Sequence, residues 1–233
     1  MFRGVQTVTS SRMFFGRLGW SASKSEDRLR WHGLRYSGVV DEVGAYRKRM
    51  RRREVPGGNR FVTISCQHRL PLFNNPRIAQ LFVDALRRAR LKHGLLVFAW
   101  VVMPEHCHVL CQPPAGTTLE SILVRVNMSV TKRVLRRWRE LNAPILKRVE
   151  DATGRPRFWL KGGGFDRNVR DVTEFCKEVR YIHRNPVERG LVSRPEDWKR
   201  SSVRWWMGLR EGEFECDPPP GRPGSWDGWM GYV

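Results

Sequence analysis

The stretch LLVFAWVVMPEHCHVLCQ, residues 95–112, decides the fold. Its first nine residues, Leu95 to Met103, are all apolar. Such a run is about half what a membrane-spanning helix needs, and it fits a strand buried on both faces. Pro104-Glu105 then turns the chain, and HCHVLCQ (106–112) reads as a second strand. So short a connection makes the two strands antiparallel neighbours.

The pattern extends in both directions. RFVTISCQ (60–67), rich in β-branched and aromatic residues, predicts an earlier strand. Between them NNPRIAQLFVDALRRARLKHG (74–94) predicts a helix, with Asn75 as cap, Pro76 at the first position and Gly94 as stop. Ile78, Leu81, Phe82, Ala85, Leu86 and Ala89 form its apolar stripe. GTTLESILVRVNMSVTKRVLRRWRE (116–140) predicts a second helix, where Thr117 and Glu120 have capping-box spacing. Its apolar face carries Leu119, Ile122, Leu123, Val126, Val130, Val134 and Trp138, and Arg125, Lys132, Arg133, Arg136 and Arg137 mostly take the others. The Gly-broken RPRFWLKGGGFDRNVR (155–170) predicts one or two short strands. DVTEFCKEVRYIHRNP (171–186) predicts a third helix, stopped by Asn185-Pro186. The order β-α-β-β-α-(β)-α is that of an α+β domain: an antiparallel sheet with helices mainly on one face, close to the split β-α-β arrangement.

Composition bounds the partner. Among 233 residues there are 43 Lys and Arg against 23 Asp and Glu, a net charge of +20. That balance favours a polyanion, most often nucleic acid. Residues 1–57 hold 13 basic and 5 acidic side chains, and they read as a basic, flexible arm ending in YRKRMRRREVPGG. Residues 58–210 hold 29 and 13 and form the expected folded domain, so the excess is not confined to a tail. Residues 211–233 form a Pro/Gly-rich acidic tail with no expected packed core. Five cysteines in irregular spacing, without a CxxC, argue against a disulfide framework and for a reducing cytoplasm. The N-terminus shows no apolar segment of signal-peptide length, so the expectation is a soluble cytoplasmic protein without a membrane partner.

Two of the six histidines, His106 and His108, stand two apart on the second strand. Side chains alternate along a strand, so both point to one face while Cys107, Val109 and Cys111 point to the other. Two such imidazoles can share one divalent metal. The spacing alone leaves that and an ordinary histidine pair both open. A structural zinc site using Cys107 or Cys111 is the weaker option, since Cys107 faces away. Of four tyrosines, only Tyr181 falls on an expected helix. It lies about 150° from the centre of the stripe Val172, Phe175, Cys176, Val179, Ile182 at 100° per residue. Spacing alone is equally that of a surface tyrosine. Asn185 follows one turn later with an amide oxygen able to ligate metal, although Pro186 biases it away from helical geometry.

Four pieces in this order, WVVMPEHCHVL, RFWLKGGGFDRNVRD, YIHRNPVERGLV and PEDWKRSS, resemble the single-tyrosine HUH transposases. These are the insertion-sequence 200-like transposases, and the REP-associated tyrosine transposases are the nearest group. The resemblance covers about residues 58–205. It implies the ferredoxin-like HUH endonuclease fold, and cleavage and rejoining of single-stranded DNA, often beside a hairpin. It makes His106 and His108 the metal-binding pair, Asn185 the third ligand and Tyr181 the nucleophile. Mixed N/O ligation suits Mg²⁺ or Mn²⁺. The expected products are a 5′-phosphotyrosyl protein and a free 3′-OH. Lys177, one turn before the tyrosine, is expected to assist or to hold a phosphate. Arg125, Lys132, Arg133, Arg136 and Arg137 are expected to follow the DNA backbone. Trp159, Trp198, Trp205 and Trp206 are candidates for stacking on unpaired bases. The KGGGF stretch is richer in glycine than the family pattern, which points to an altered loop near the DNA. Monomer and homodimer both stay open. The competing reading is a single-stranded nucleic-acid binder, a domesticated transposase that does not cut.

Overall fold

A computed structural model describes residues 55–209 and 214–219. The expected N-terminal arm and acidic tail lie outside the described residues, except for 55–57 and 214–219. Four strands form one sheet: β1 (Asn59–Cys66), β2 (Leu96–Val102), β3 (His106–Gln112) and β4 (Trp159–Val169). Three long helices connect and follow them: α1 (Pro76–His93), α2 (Leu119–Glu140) and, after the four-residue α3 (Ile145–Arg148), α4 (Val172–Glu188). A short α5 (Val203–Trp206) comes last. The strand order is β2-β3-β1-β4, with every neighbouring pair antiparallel. This is the expected α+β arrangement, a split β-α-β sheet closed by a fourth strand.

Local sequence explains the element ends. The Asn75 side chain accepts from the N–H groups of Arg77 and Ile78 ahead of α1, and Gly94 ends that helix at φ 64°. A left-handed residue there costs glycine nothing. Asp171 caps α4 by accepting from the Glu174 N–H.

Strand alternation divides the core into two layers. On one face Val62, Ile64, Cys107, Val109 and Trp100 pack against Phe82, Leu86, Ile122, Val126 and Val130 of α1 and α2. On the other, Phe61, Phe98, Val101 and Leu110 pack against Phe175, Val179 and Ile182 of α4. Each such apolar side chain contributes about 1.5–3 kcal/mol when fully buried. Two of the three long helices therefore share a face, and the third crosses to the other.

Several local expectations are corrected. Thr118, not Thr117, caps α2, accepting from the Ser121 N–H at 3.2 Å. The glycine-rich segment is no loop: β4 runs unbroken from Trp159 to Val169, with a bulge opposite Ile64–Cys66 where Gly162 takes φ 67°. Pro186 does not stop α4, which continues to Glu188. A proline so near the end removes only one helical N–H, and the Arg189 N–H still reaches the Asn185 carbonyl at 3.1 Å. Part of the acidic tail does pack. Phe214 stacks on Trp100 at 5.3 Å, and Asp217 accepts from Arg90 and from the Val97 N–H. Together with backbone bonds from Val102 to Arg200 and from Ser202 to Trp100, this satisfies the outer edge of β2.

Candidate active site

The register of β3 against β1 pairs His106 with Ser65 and His108 with Thr63, all on the face that α4 covers. Both imidazoles are 1% exposed. Their Nε2 atoms converge to 2.9 Å. Each outer nitrogen has its own partner: His106 Nδ1 lies 3.1 Å from Glu105 Oε1, and His108 Nδ1 lies 2.8 Å from Thr63 Oγ1. A carboxylate or hydroxyl on the outer nitrogen, with the inner one turned to a common point, is how metal-binding histidines are held. Burial holds His108 well below the usual imidazole range, with the charges of His106 and Arg189 acting the same way. It is neutral at physiological pH, the form that donates a lone pair. The hydrogen bond from His106 leads in drawing the Glu105 carboxyl down to about 2, against the opposing effect of burial and with help from Arg189.

The buried face of α4 sets the tyrosine. That face differs from the expected stripe: Val172 is exposed while Glu178 and Asn185 are buried, which turns it toward Tyr181 and leaves the tyrosine half-buried against Phe61 and His108. Its ring centroid lies 5.2 Å from that of His108 and 5.8 Å from that of Phe61, edge-on to both. Burial raises its phenol above the ordinary tyrosine range, partly offset by a hydrogen bond from the Asn185 side chain. Because α4 continues past Pro186, Asn185 stays in helical register one turn after Tyr181. The Asn185 side-chain oxygen is buried without a hydrogen-bond partner. Such an oxygen is uncommon in folded proteins and marks a place for an ion or water.

Among the described residues no group of three or more His, Cys, Asp or Glu is placed to hold a metal ion. Two imidazole nitrogens and an amide oxygen are the donors present, and that mixed set accepts a hard or borderline divalent cation whose other positions are filled by oxygen. The zinc alternative fails on geometry. Cys107 and Cys111 are fully buried on the α1/α2 face, and burial pushes both thiols up, Cys111 to about 12. All five cysteines are free, as expected.

The other candidates lie elsewhere. Arg125, Lys132, Arg133, Arg136 and Arg137 are exposed on α2, across the sheet from the histidines. Arg125 lines a cleft of about 370 Å³ with Lys92, His93, Thr117, Ser121 and Ile122. Lys177 is exposed on α4, one turn before Tyr181. The four candidate tryptophans are half-buried. Trp159, Trp198 and Trp206 donate their indole N–H to the carbonyls of Asn127, Val102 and Phe98, and Trp205 packs against the core. Sequence reasoning passed over Glu105, Arg189, Thr63 and Phe61. The first two stand inside the quoted motifs, but only side-chain packing joins them.

Comparison with known proteins bears on the chain as a whole. No family model matches the chain. A REP-associated tyrosine transposase of Escherichia coli (strain K12) is 28% identical over 157 residues, 65% of this chain and 80% of that protein. A solved structure of a REP-associated tyrosine transposase bound to a REP hairpin superposes with a TM-score of 0.55 at 22% identity, over 75% of this chain and 95% of that one. A second solved structure, from Deinococcus radiodurans R1, gives a TM-score of only 0.39 at 16% identity over 62% of this chain and 95% of that one, too loose to argue from. No helix among the described residues is long and apolar enough to cross a membrane. The chain is thus similar in sequence to one REP-associated tyrosine transposase and similar in fold to another.

Proposed function

We propose that the protein is a transposase-type endonuclease and strand transferase for single-stranded DNA, with Tyr181 as nucleophile and His106, His108 and Asn185 as ligands of one Mg²⁺ or Mn²⁺. The observation that carries this is a chain of three neighbouring features running from the histidine pair through Tyr181 to Asn185. The Nε2 pair is 2.9 Å apart, the Tyr181 ring lies against His108, and the Asn185 oxygen beside it is buried without a partner. The solved relative is bound to a REP hairpin, which supports DNA beside a hairpin as the substrate.

When bound, the cation polarises a non-bridging oxygen of the scissile phosphate. The chain's own residues do the rest. Phe61 and His108 wall the Tyr181 ring and limit its rotation, so the phenol is held ready for in-line attack. Burial keeps that phenol protonated at neutral pH, so it loses its proton only as the attack proceeds. The amide of Asn185 donates to the phenolic oxygen, and its buried, unpartnered oxygen would be the third ligand of the cation. The Tyr181 oxygen forms a bond to phosphorus and the bond from phosphorus to the 3′ oxygen breaks. The phenol gives up one proton and the departing 3′ oxygen takes one. The 5′-phosphotyrosine keeps the energy of the phosphodiester, so another 3′-OH can reverse the step without ATP. Lys177 holds a flanking phosphate, and the α2 cations, across the sheet, hold DNA remote from the scissile bond.

Covalent capture tests this reading. Labelled single-stranded hairpin oligonucleotides are incubated with the protein and Mn²⁺ and run on a denaturing gel. A protein–DNA band is expected for the wild type and not for Tyr181→Phe or His106→Ala/His108→Ala. A band that survives Tyr181→Phe refutes the nucleophile. Binding without any band establishes the non-cleaving binder instead.

A further inference from the structure

Arg189 ends α4, one turn beyond Asn185 and two beyond Tyr181. Its Nη2 lies 2.9 Å from Glu105 Oε1, the same oxygen that stands 3.1 Å from His106 Nδ1. The two partners differ in exposure: the Glu105 side chain is 12% exposed and that of Arg189 is 46%. An ion pair with one end in solvent contributes little to stability. The pair therefore makes better sense as an anchor than as a brace. Arginine has five N–H donors in a planar fork. Glu105 is its side-chain partner among the described residues, which leaves the outer donors of the fork facing solvent at the rim of the tyrosine site. A buried carboxylate holding one edge of a guanidinium removes much of the entropy cost of using the other edge. The charge is close enough to act on both His108 and Tyr181.

We propose that Arg189 is a substrate-contacting residue of the tyrosine site: Glu105 fixes one edge of its guanidinium, and the free N–H groups grip the phosphate of the single-stranded DNA presented to Tyr181. This rests on the reading of Tyr181 as the nucleophile. It gives Glu105 two tasks through one oxygen. It orients the His106 ring so that Nε2 faces His108, and it sets the position of the phosphate grip. Arg189 is then matched to the task because a guanidinium meets phosphate with two parallel hydrogen bonds, which an ammonium does not.

The test separates this from a structural tie and from the nuclease reading. Affinity for a fluorescent hairpin oligonucleotide with a single-stranded flank is measured by anisotropy in EDTA, from 50 to 200 mM salt. Arg189→Gln is expected to weaken binding by roughly three- to tenfold and to lower the slope of log affinity against log salt by about 0.7–0.9, the loss of one phosphate contact. Arg189→Lys should keep the slope yet slow single-turnover adduct formation about tenfold, because charge returns without the fork. If Arg189→Gln keeps the wild-type slope while only its thermal midpoint moves, the residue is a structural tie and the inference is overturned. A reduced slope in a protein whose wild type forms no adduct supports the phosphate grip and defeats the nuclease reading. A wild type with no salt-dependent affinity for the oligonucleotide defeats both.

Discussion

His183 offers a quantitative check on how α4 is seated. It is 0% exposed, and its Nε2 lies 2.8 Å from Ser202 Oγ, which also accepts from the Trp100 N–H at 2.9 Å. Burial alone lowers its imidazole from 6.5 to about 3. The sign follows directly. As pH falls below 6.5 the unfolded chain binds a proton at this residue, and the native protein does not until about pH 3. The associated stability is complete above pH 6.5 and is lost between there and pH 3, at about 1.4 kcal/mol per pH unit. Between pH 7.5 and pH 5 the loss from this one group is about 2 kcal/mol. His108 changes in the same direction, so the wild-type curve is steeper than one group alone would make it. His183→Gln keeps a partner for Ser202 and removes the titration. Urea unfolding of both proteins at pH 7.5 and pH 5 should show their stability gap narrowing by about 2 kcal/mol at the lower pH. A gap of constant size would refute the account of a neutral imidazole sealed under the helix.

Two further outcomes are expected. Arg60 and Asp166 form an ion pair across β1 and β4, each side chain only 4% exposed. Asp166→Asn leaves the guanidinium buried without a counter-charge, at a cost of about 3–5 kcal/mol, or roughly 10 °C in thermal midpoint by calorimetry; a change below about 2 °C would show that the pair is solvated. Arg133→Ala/Arg137→Ala should weaken binding of single-stranded DNA and lower its salt slope by about 1.5, while an unchanged slope would take the α2 surface out of the DNA path.

Much of the fold was legible because its signals are local. The Asn75-Pro76 start and Gly94 stop of α1, the short turn at Pro104-Glu105 and the alternation along residues 106–112 each act within a few residues. Alternation alone put His106 and His108 on one face and Cys107 on the other, and the structure keeps them there. Where local rules misled, packing outweighed them. Pro186 lies inside α4 because Phe175, Val179 and Ile182 seat the helix on the sheet, and losing one helical hydrogen bond near its end is minor beside that burial. Phe214 and Asp217 pack because the outer edge of β2 needs cover, a demand that the Pro/Gly-rich composition around them does not reveal.

The sequence by itself determined the element order, the shared face of the two histidines and the choice of Tyr181 as the one tyrosine on an expected helix. Only the tertiary structure decided that α4 crosses to the histidine face while α1 and α2 take the other. Only there does Glu105 join His106 to Arg189, and Thr63 reach His108. The physical reason is range. Side-chain periodicity states which residues leave a strand or helix together, because that depends on backbone geometry a few residues long. Which surface then meets which depends on burying apolar area contributed by distant segments, and the polar partners of the site are set by where that burial leaves them.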